Sequence, residues 1–533
     1  MINNKQPYIY FPILFSLVFC AGLYFGDKLS INHSSSAVFP LKLGFNKLNE
    51  IINYIEEEYV DSVDRSYLEN KVIATLLQDL DPHSYYISPE EIAAMNEPLQ
   101  GNFEGIGVEF SIQKDTIVVL APIVGGPSEM LGIMAGDRIV EVDSENVASV
   151  GITNRRVMEL LKGQKGSKVN VGIYRKGNKK LLHFTIERDK IPIHSIDVAY
   201  MLNDQTGYIK LSRFSKTTHD EFIESAKKLK EKSMNHLILD LRGNGGGYLD
   251  AAIKLADEFL PKGKLIVYTE GKAKPKKMHY ATSSGNFETI KLSVLIDEGS
   301  ASASEIIAGA IQDNDRGTIL GRRSFGKGLV QEQSDWPDGS AIRLTIARYY
   351  TPTGRCIQRP YDEGTKKYYE DFYEDMAWTM ESEKSRPDST IADSLKYTTP
   401  RGKTVYGGGG ITPDIFVPVD TIGGSMYLSE LNYNGIFRNF SFDYVDKHRA
   451  ELNKYENPET FEEKFLITNE LLEELYQKAE QSGIQKREKE IQKSDERIRM
   501  LLKANMARYL WHNEGFYKLI SSSDSMLKKA VEL

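Results

Sequence analysis

Cysteine is nearly absent: two residues in 533, Cys20 in an apolar segment and Cys356 far from it. That pair can build neither a disulfide framework nor a cysteine metal site within the fold. Histidine is sparse too, with nine residues and no His-Glu-x-x-His or clustered ligand pattern, so no metal and no other cofactor is expected. An excess of positive charge is also missing. The formal net charge of −8 gives no electrostatic basis for a nucleic-acid partner, and none is expected. What is there is 41% hydrophobic and 27% charged, within the soluble globular range, and long enough for several domains.

One segment departs from that average. After Lys5, the stretch from Pro7 to Gly26 carries no charge. At about 20 residues it has the length a helix needs to cross a bilayer. It reads as an export segment kept as a membrane anchor, because no clear small-x-small cleavage site precedes "DKLSINHSSS". A cleaved signal peptide and a lipoprotein at Cys20, where Leu17 and Ala21 suit but Phe19 is bulky, are the weaker alternatives. Residues 1–33 are therefore set aside as anchor or signal, with the body on the side reached by export.

Residues 43–100 show apolar positions at helical spacing, as in "FNKLNEIINYIEEEYV", and end at "LDPHSYYISPEE". These amphipathic helices either pair with a second copy of the chain, giving a homo-oligomer, or fold back on their own domain. "DPHS" reads as a structural turn rather than a ligand site. Residues 101–190 change to short strands and glycine turns, with one helix at "TNRRVMELLKG". From 191 to 420 the pattern is α/β: "NHLILDLRGNGGGYLDAAIKLADEFL" runs from buried strand through glycine loop to helix, and "KLSVLIDEGSASASEIIAGAIQ" repeats the plan. Two such units side by side leave a cleft at their strand ends. Within this region 361–403 is polar and aromatic with no clean period, and reads as an insertion or mobile loop. Residues 421–533 are lysine- and glutamate-rich with helical spacing.

The chemistry concentrates at the second glycine-serine turn. A strand ending in Gly-Ser-Ala-Ser-Ala-Ser and entering a helix puts backbone N–H groups and a small hydroxyl where negative charge is favoured. Capping by Ser300, Ser302 or Ser304, with Glu305 in the first turn, is the commoner explanation of such a cluster standing alone. Two further features favour catalysis. "DLRGNGGG" brings a second glycine loop that can donate N–H groups to an oxyanion, and "SFGKGLVQ" sets Lys327 between two glycines beside Phe325 and Leu329. Burial there would lower the lysine's pKa, as a neutral amine base requires.

Together, "LDPHSYY", "GIGV", "GIMAGDRIVEVD", "DLRGNGGG", "GSASASEI", "GKGLVQ", "DGSAIRLTIARYYTPTGR" and "GGITPDI" resemble a carboxyl-terminal processing peptidase, or tail-specific protease, of the serine–lysine type with a PDZ domain; the match spans about Tyr59 to Pro418. The resemblance implies a multidomain α+β chain: N-terminal membrane helix, helical module, PDZ-like β-rich domain, α/β serine peptidase core and helical C-terminal appendage. It implies Ser302 as nucleophile, Lys327 as general base and Gln331 as the residue orienting the lysine. The oxyanion donors would be the N–H groups of Ala303 and of Gly247 or its neighbour Gly246. Gly105, Ile106, Gly107 and Val108 would form the peptide carboxylate loop. In this family the PDZ domain is often a gate on the catalytic residues. Expected partners are unfolded or tail-exposed proteins and their C-terminal peptides, and the expected location is a bacterial envelope, anchored in the inner membrane with the body in the periplasm. Three rivals remain: a catalytically silent PDZ adaptor, a Ser-His-Asp hydrolase using His279 from an exposed stretch, and a metallohydrolase.

Overall fold

The computed structural model describes residues 15, 16, 18, 19, 46–381 and 392–533. The anchor expected over Pro7 to Gly26 lies mostly outside them, and no helix of the described residues is long and apolar enough to cross a membrane. The chain divides into two compact units, 1–72 and 73–533. In the first, helix Lys47–Glu58 is capped at its start by Asn46, and its Glu56 meets Arg65 at 3.1 Å; Arg65 also pairs with Glu69, one turn along its own helix, at 2.8 Å.

The second unit opens with a turn in which Asp81 accepts the N–H groups of His83 and Ser84 at 2.8 Å each. A short helix, Ile92–Gln100, leads to the two-stranded ribbon Asn102–Gly105 and Asp189–Pro192, which forms both the entrance and the exit of the PDZ-like module. Its sheet runs Val108–Ile112, Ile117–Pro122, Arg138–Val142, Lys168–Tyr174, Leu182–Glu187, all antiparallel. Alternation along Ile117–Pro122 sends Ile117 and Val119 into the module's core, beside Val157 and Leu161 of helix Asn154–Leu161. Val118 and Leu120 point the other way.

The peptidase core is a six-stranded sheet in the order Ile196–Met201, Thr206–Leu211, His236–Asp240, Lys291–Ile296, Thr318–Gly321, Ile415–Phe416; only the first pair is antiparallel. Its inner strands are buried on both faces, which is why they read as continuous apolar runs. Leu237, Leu239, Val294 and Ile296 face helices Leu249–Asp257 and Ala303–Asp313, while Ile238 and Leu295 face Met526, Leu527 and Ala530 of the C-terminal helix Ser525–Glu532. A second sheet places Leu329–Asp335 against Ala341–Tyr350, with Gly339 at φ +86° in the turn between them. The C-terminal region is a bundle of five helices from Met426 to Ser521 with its own apolar core, closed by Ser525–Glu532.

One expectation needs correcting. Part of the polar insertion is an ordered helix, Thr365–Glu381, rather than a loop. Tyr368 and Phe372 on one side of it pack against Phe325, a partner about 45 positions earlier in the chain that no local periodicity reveals.

Candidate active site

The two glycine loops follow neighbouring parallel strands and are tied together. Asp297 Oδ1 accepts the N–H of Gly243 at 2.8 Å and of Gly299 at 3.0 Å. The three alternating serines, equivalent by spacing, separate by environment. Ser300 is fully buried and donates to the Leu241 carbonyl at 2.8 Å; Ser304 is fully buried and donates to the Asn244 carbonyl at 2.8 Å. Both hydroxyls are used to bind one loop to the other. Ser302, between them, is half-buried and lines a cleft of 790 Å³. Its backbone sits at φ +54°, ψ −111°, a conformation L-residues avoid. The strain is held from both sides: the Ser302 N–H donates to Glu305 Oε2 at 2.8 Å, and its carbonyl accepts from the Tyr349 hydroxyl at 3.2 Å.

Glu305 is the residue whose weight the sequence understates. It is wholly buried, and its two oxygens accept four hydrogen bonds: from Ser302 N–H, from Lys327 N–H at 2.9 Å, from Gly326 N–H at 2.7 Å and from the Ser324 hydroxyl at 2.6 Å. Burial holds its carboxyl above the usual range, and these donors offset that rise only in part. The Ser-x-x-Glu spacing signals a capping residue; it does not signal that the same carboxylate also carries the lysine loop.

Lys327 lines the same cleft. The glycines around it are required by close approach: a Cβ on Gly326 would lie 3.0 Å from the Gly410 nitrogen, and one on Gly328 would lie 2.8 Å from the Gln358 nitrogen. Burial pushes the Lys327 amine below its ordinary value and Arg343 adds to the effect, against opposing pulls from Asp81 and Glu305. Its amine donates to Gln331 Oε1 at 2.9 Å, and the Gln331 amide in turn donates to the His83 carbonyl. Ser302 Oγ and Lys327 Nζ share the cleft without a hydrogen bond between them.

The two glycines considered for the oxyanion site differ. The Gly246 N–H is already committed to Asn244 Oδ1 at 2.9 Å, which removes it as a donor, whereas the N–H groups of Gly247 and Ala303 meet no acceptor among the described residues. Gly247 tolerates no side chain: a Cβ there would lie 1.9 Å from the Phe214 carbonyl oxygen. Leu329, Ile306 and Ile346 give the cleft an apolar wall.

Gly105, Ile106, Gly107 and Val108 lie apart from this cleft, in the β-rich module. The Ile106 carbonyl accepts from Ser128 N–H at 3.2 Å and Ser128 Oγ at 2.6 Å, and the Gly107 carbonyl from Ile123 at 2.9 Å. Gly105 bridges to Lys162 at the end of helix Asn154–Leu161, and Val108 begins an edge strand. His279 is itself half-buried, but it lies on strand Lys277–Tyr280 in an otherwise exposed stretch and is absent from the lining of the Ser302 cleft. Among the described residues no group of three or more histidine, cysteine or carboxylate side chains could hold a metal.

Peptidase family S41 matches residues 205–366 and the PDZ domain family matches 105–186, while a family of unknown function (DUF8443) matches 427–512. A carboxy-terminal-processing protease of Bartonella bacilliformis is 35% identical over 350 residues, covering 64% of this chain and 80% of that one. Carboxy-terminal processing protease CtpB of Bacillus subtilis is 32% identical over 351 residues, covering 64% and 72%. A solved photosystem II D1 C-terminal processing protease matches at 27% identity and a TM-score of 0.37, covering 70% of this chain and 87% of that one. The family matches make this chain a serine-type peptidase with a PDZ domain. The chain belongs to peptidase family S41, among its carboxy-terminal processing proteases.

Proposed function

We propose that Ser302 and Lys327 form a catalytic dyad that cleaves proteins presented by their C-terminal tails. The observation carrying this reading is that a strained, cleft-facing Ser302 and a buried Lys327 with a depressed pKa are pinned by one carboxylate, Glu305. Neutral Lys327 takes the Ser302 proton as Oγ bonds to the scissile carbonyl carbon. The N–H groups of Ala303 and Gly247 stabilise the oxyanion. The C–N bond then breaks as Lys327 returns its proton to the leaving amine. Water, giving a proton to Lys327, attacks the Ser302 ester; the carboxylate product leaves and the serine is restored.

The tail would add along the edge strand Val108–Ile112, its carboxylate held at Gly105 to Val108. The uncharged segment Pro7 to Gly26 supports export and an N-terminal membrane anchor, with the body in the periplasm. The test is cleavage of an unstructured reporter with an apolar tail. Ser302→Ala and Lys327→Ala, each folded, are expected to lose at least about a thousandfold in kcat/KM, unaffected by chelator. Full activity in either variant overturns the dyad, and tail binding by the intact chain without cleavage makes it a PDZ adaptor.

A further inference from the structure

The helix inside the insertion touches the lysine loop at several points. Tyr368 is buried, and its hydroxyl is hydrogen-bonded to His83 Nε2 at 3.1 Å, with the two rings edge-on at 5.5 Å. Phe325, two residues before Lys327, lies 4.8 Å from the Phe372 ring and 6.2 Å from both Tyr368 and His83. Arg359 binds Asp375 of the same helix at 2.6 Å, and its backbone N–H donates to the Gly326 carbonyl at 2.9 Å. The helix thus grips the loop directly at Phe325 and, through Asp375 and Arg359, at Gly326.

His83 passes this grip on to the base. Its carbonyl accepts from the Gln331 amide nitrogen, and that bond decides which end of the amide faces the lysine. An amide has a donor end and an acceptor end; with the NH₂ held by His83, Oε1 must face Lys327 and take one of its N–H groups. The remaining valences of Nζ, including the lone pair of the neutral amine, are left for the cleft. His83 stays neutral, its pKa pushed down to about 4 by burial and by Lys327, so it adds no competing charge. The groups bearing on Lys327 from the surrounding elements are then Arg343, Asp81 and Glu305.

We propose that helix Thr365–Glu381 is a working part of the catalytic apparatus, with Tyr368 a positioning residue that sets Lys327 through His83 and Gln331, seconded by Phe372 acting through Phe325. The inference rests on the Ser302–Lys327 reading. It gives a purpose to two sequence features otherwise unexplained, the aromatic insertion and the Asp-Pro-His-Ser turn.

The experiment measures kcat, KM and the pH profile of the full-length chain on the unstructured reporter for Tyr368→Phe and Phe372→Leu, beside Lys327→Ala. Losing the Tyr368 hydroxyl loosens His83 and admits water to Lys327, so its pKa climbs back toward the ordinary lysine range. The expected result is a kcat about tenfold lower with KM little changed, and an acidic limb displaced to higher pH. Phe372→Leu should move both quantities the same way by a smaller amount, and it serves alone if Tyr368→Phe does not fold. If Lys327→Ala is inactive while the folded helix variants keep the wild-type limb, whatever their kcat, the helix inference is overturned and the dyad stands. If Lys327→Ala keeps full activity, the dyad itself fails and takes the inference with it.

Discussion

Glu305 shows how one side chain can set two others. Replacing it by glutamine keeps the shape but turns one acceptor into a donor, so either Ser302 N–H and Lys327 N–H or Ser324 Oγ and Gly326 N–H face an NH₂ group. Each buried donor left without an acceptor costs about 1–3 kcal/mol. Glu305→Gln is therefore expected to lower the melting temperature and to reduce kcat about a hundredfold or more, with tail binding unchanged; thermal unfolding, cleavage kinetics and peptide titration read the three quantities. In the proposed dyad, Lys327 sets the pH dependence. Its folded pKa is depressed, so the working neutral form accumulates as pH rises and the rate climbs along a limb below the ordinary lysine range. Arg343, bound to neutral acceptors on Tyr85 and Asn96, supplies part of that depression by like charge. Arg343→Gln removes it, and the limb should shift to higher pH in a kcat/KM profile. A limb that stays in place would mean burial alone sets the lysine.

Among the elements, those that fold on local pattern were legible and those that fold on distant partners were not. "HLILD" and "KLSVLI" announce strands because each carries a short, mostly aliphatic run ending at a loop, and the glycine loops after them announce a cleft. The three serines carry no such distinction. Spacing makes Ser300, Ser302 and Ser304 alike, and only the bonds of Ser300 to Leu241 and Ser304 to Asn244, made across two loops, leave Ser302 facing the cleft. Helix Thr365–Glu381 was hidden for the same reason: Tyr368 is buried and Phe372 half-buried against His83 and Phe325, while Tyr369 and Tyr373 beside them are exposed and blur the period. The last helix, Ser525–Glu532, is legible as a helix but not as a support. Asp524 caps it, accepting from Met526 at 2.9 Å, and reaches Arg242 of the first glycine loop at 2.8 Å; Arg242 holds Asp240 at 2.6 Å. Asp524→Ala should cost about 1–2 kcal/mol through the cap alone, seen as an earlier denaturant midpoint. Burial opposes ionisation of Asp240, but Arg242 and Lys210 outweigh it and hold the carboxyl well below the usual aspartate range. With the folded pKa depressed, that contribution is full above the unfolded value, about 3.9, and is lost as pH falls below it. Wild type should therefore lose stability toward acid more steeply than Arg242→Gln.

At the scale of the whole molecule, the C-terminal bundle reaches both working domains. On the peptidase side Tyr517 donates to Asp197 at 3.2 Å, and Met526 and Leu527 cover the sheet face of Ile238 and Leu295. On the PDZ side Phe442 is buried against Val118 and Leu120, the outward residues of strand Ile117–Pro122, with Tyr509 packed beside them. Gly136 of the PDZ domain comes so close to the bundle that a Cβ would lie 2.4 Å from Asp446 Oδ1. By contrast, the chain itself joins PDZ to peptidase through the narrow ribbon Asn102–Gly105 and Asp189–Pro192. A domain on a two-stranded neck would otherwise swing, so the bundle contacts hold the PDZ domain, with its proposed peptide edge, in place relative to Ser302. Truncating Phe442 to alanine removes a fully buried aromatic side chain, a change that costs about 3–5 kcal/mol in a closed core. Here the loss falls on a domain contact, and the expected result is local. Amide exchange should quicken along Ile117–Pro122 while the strand His236–Asp240 keeps its protection, and dependence of the cleavage rate on tail sequence should weaken while hydrolysis of a small ester substrate at Ser302 is retained. Equal quickening in both strands would instead make the bundle a general part of one cooperative core, and unchanged exchange along Ile117–Pro122 would place the restraint on the PDZ domain in its neck.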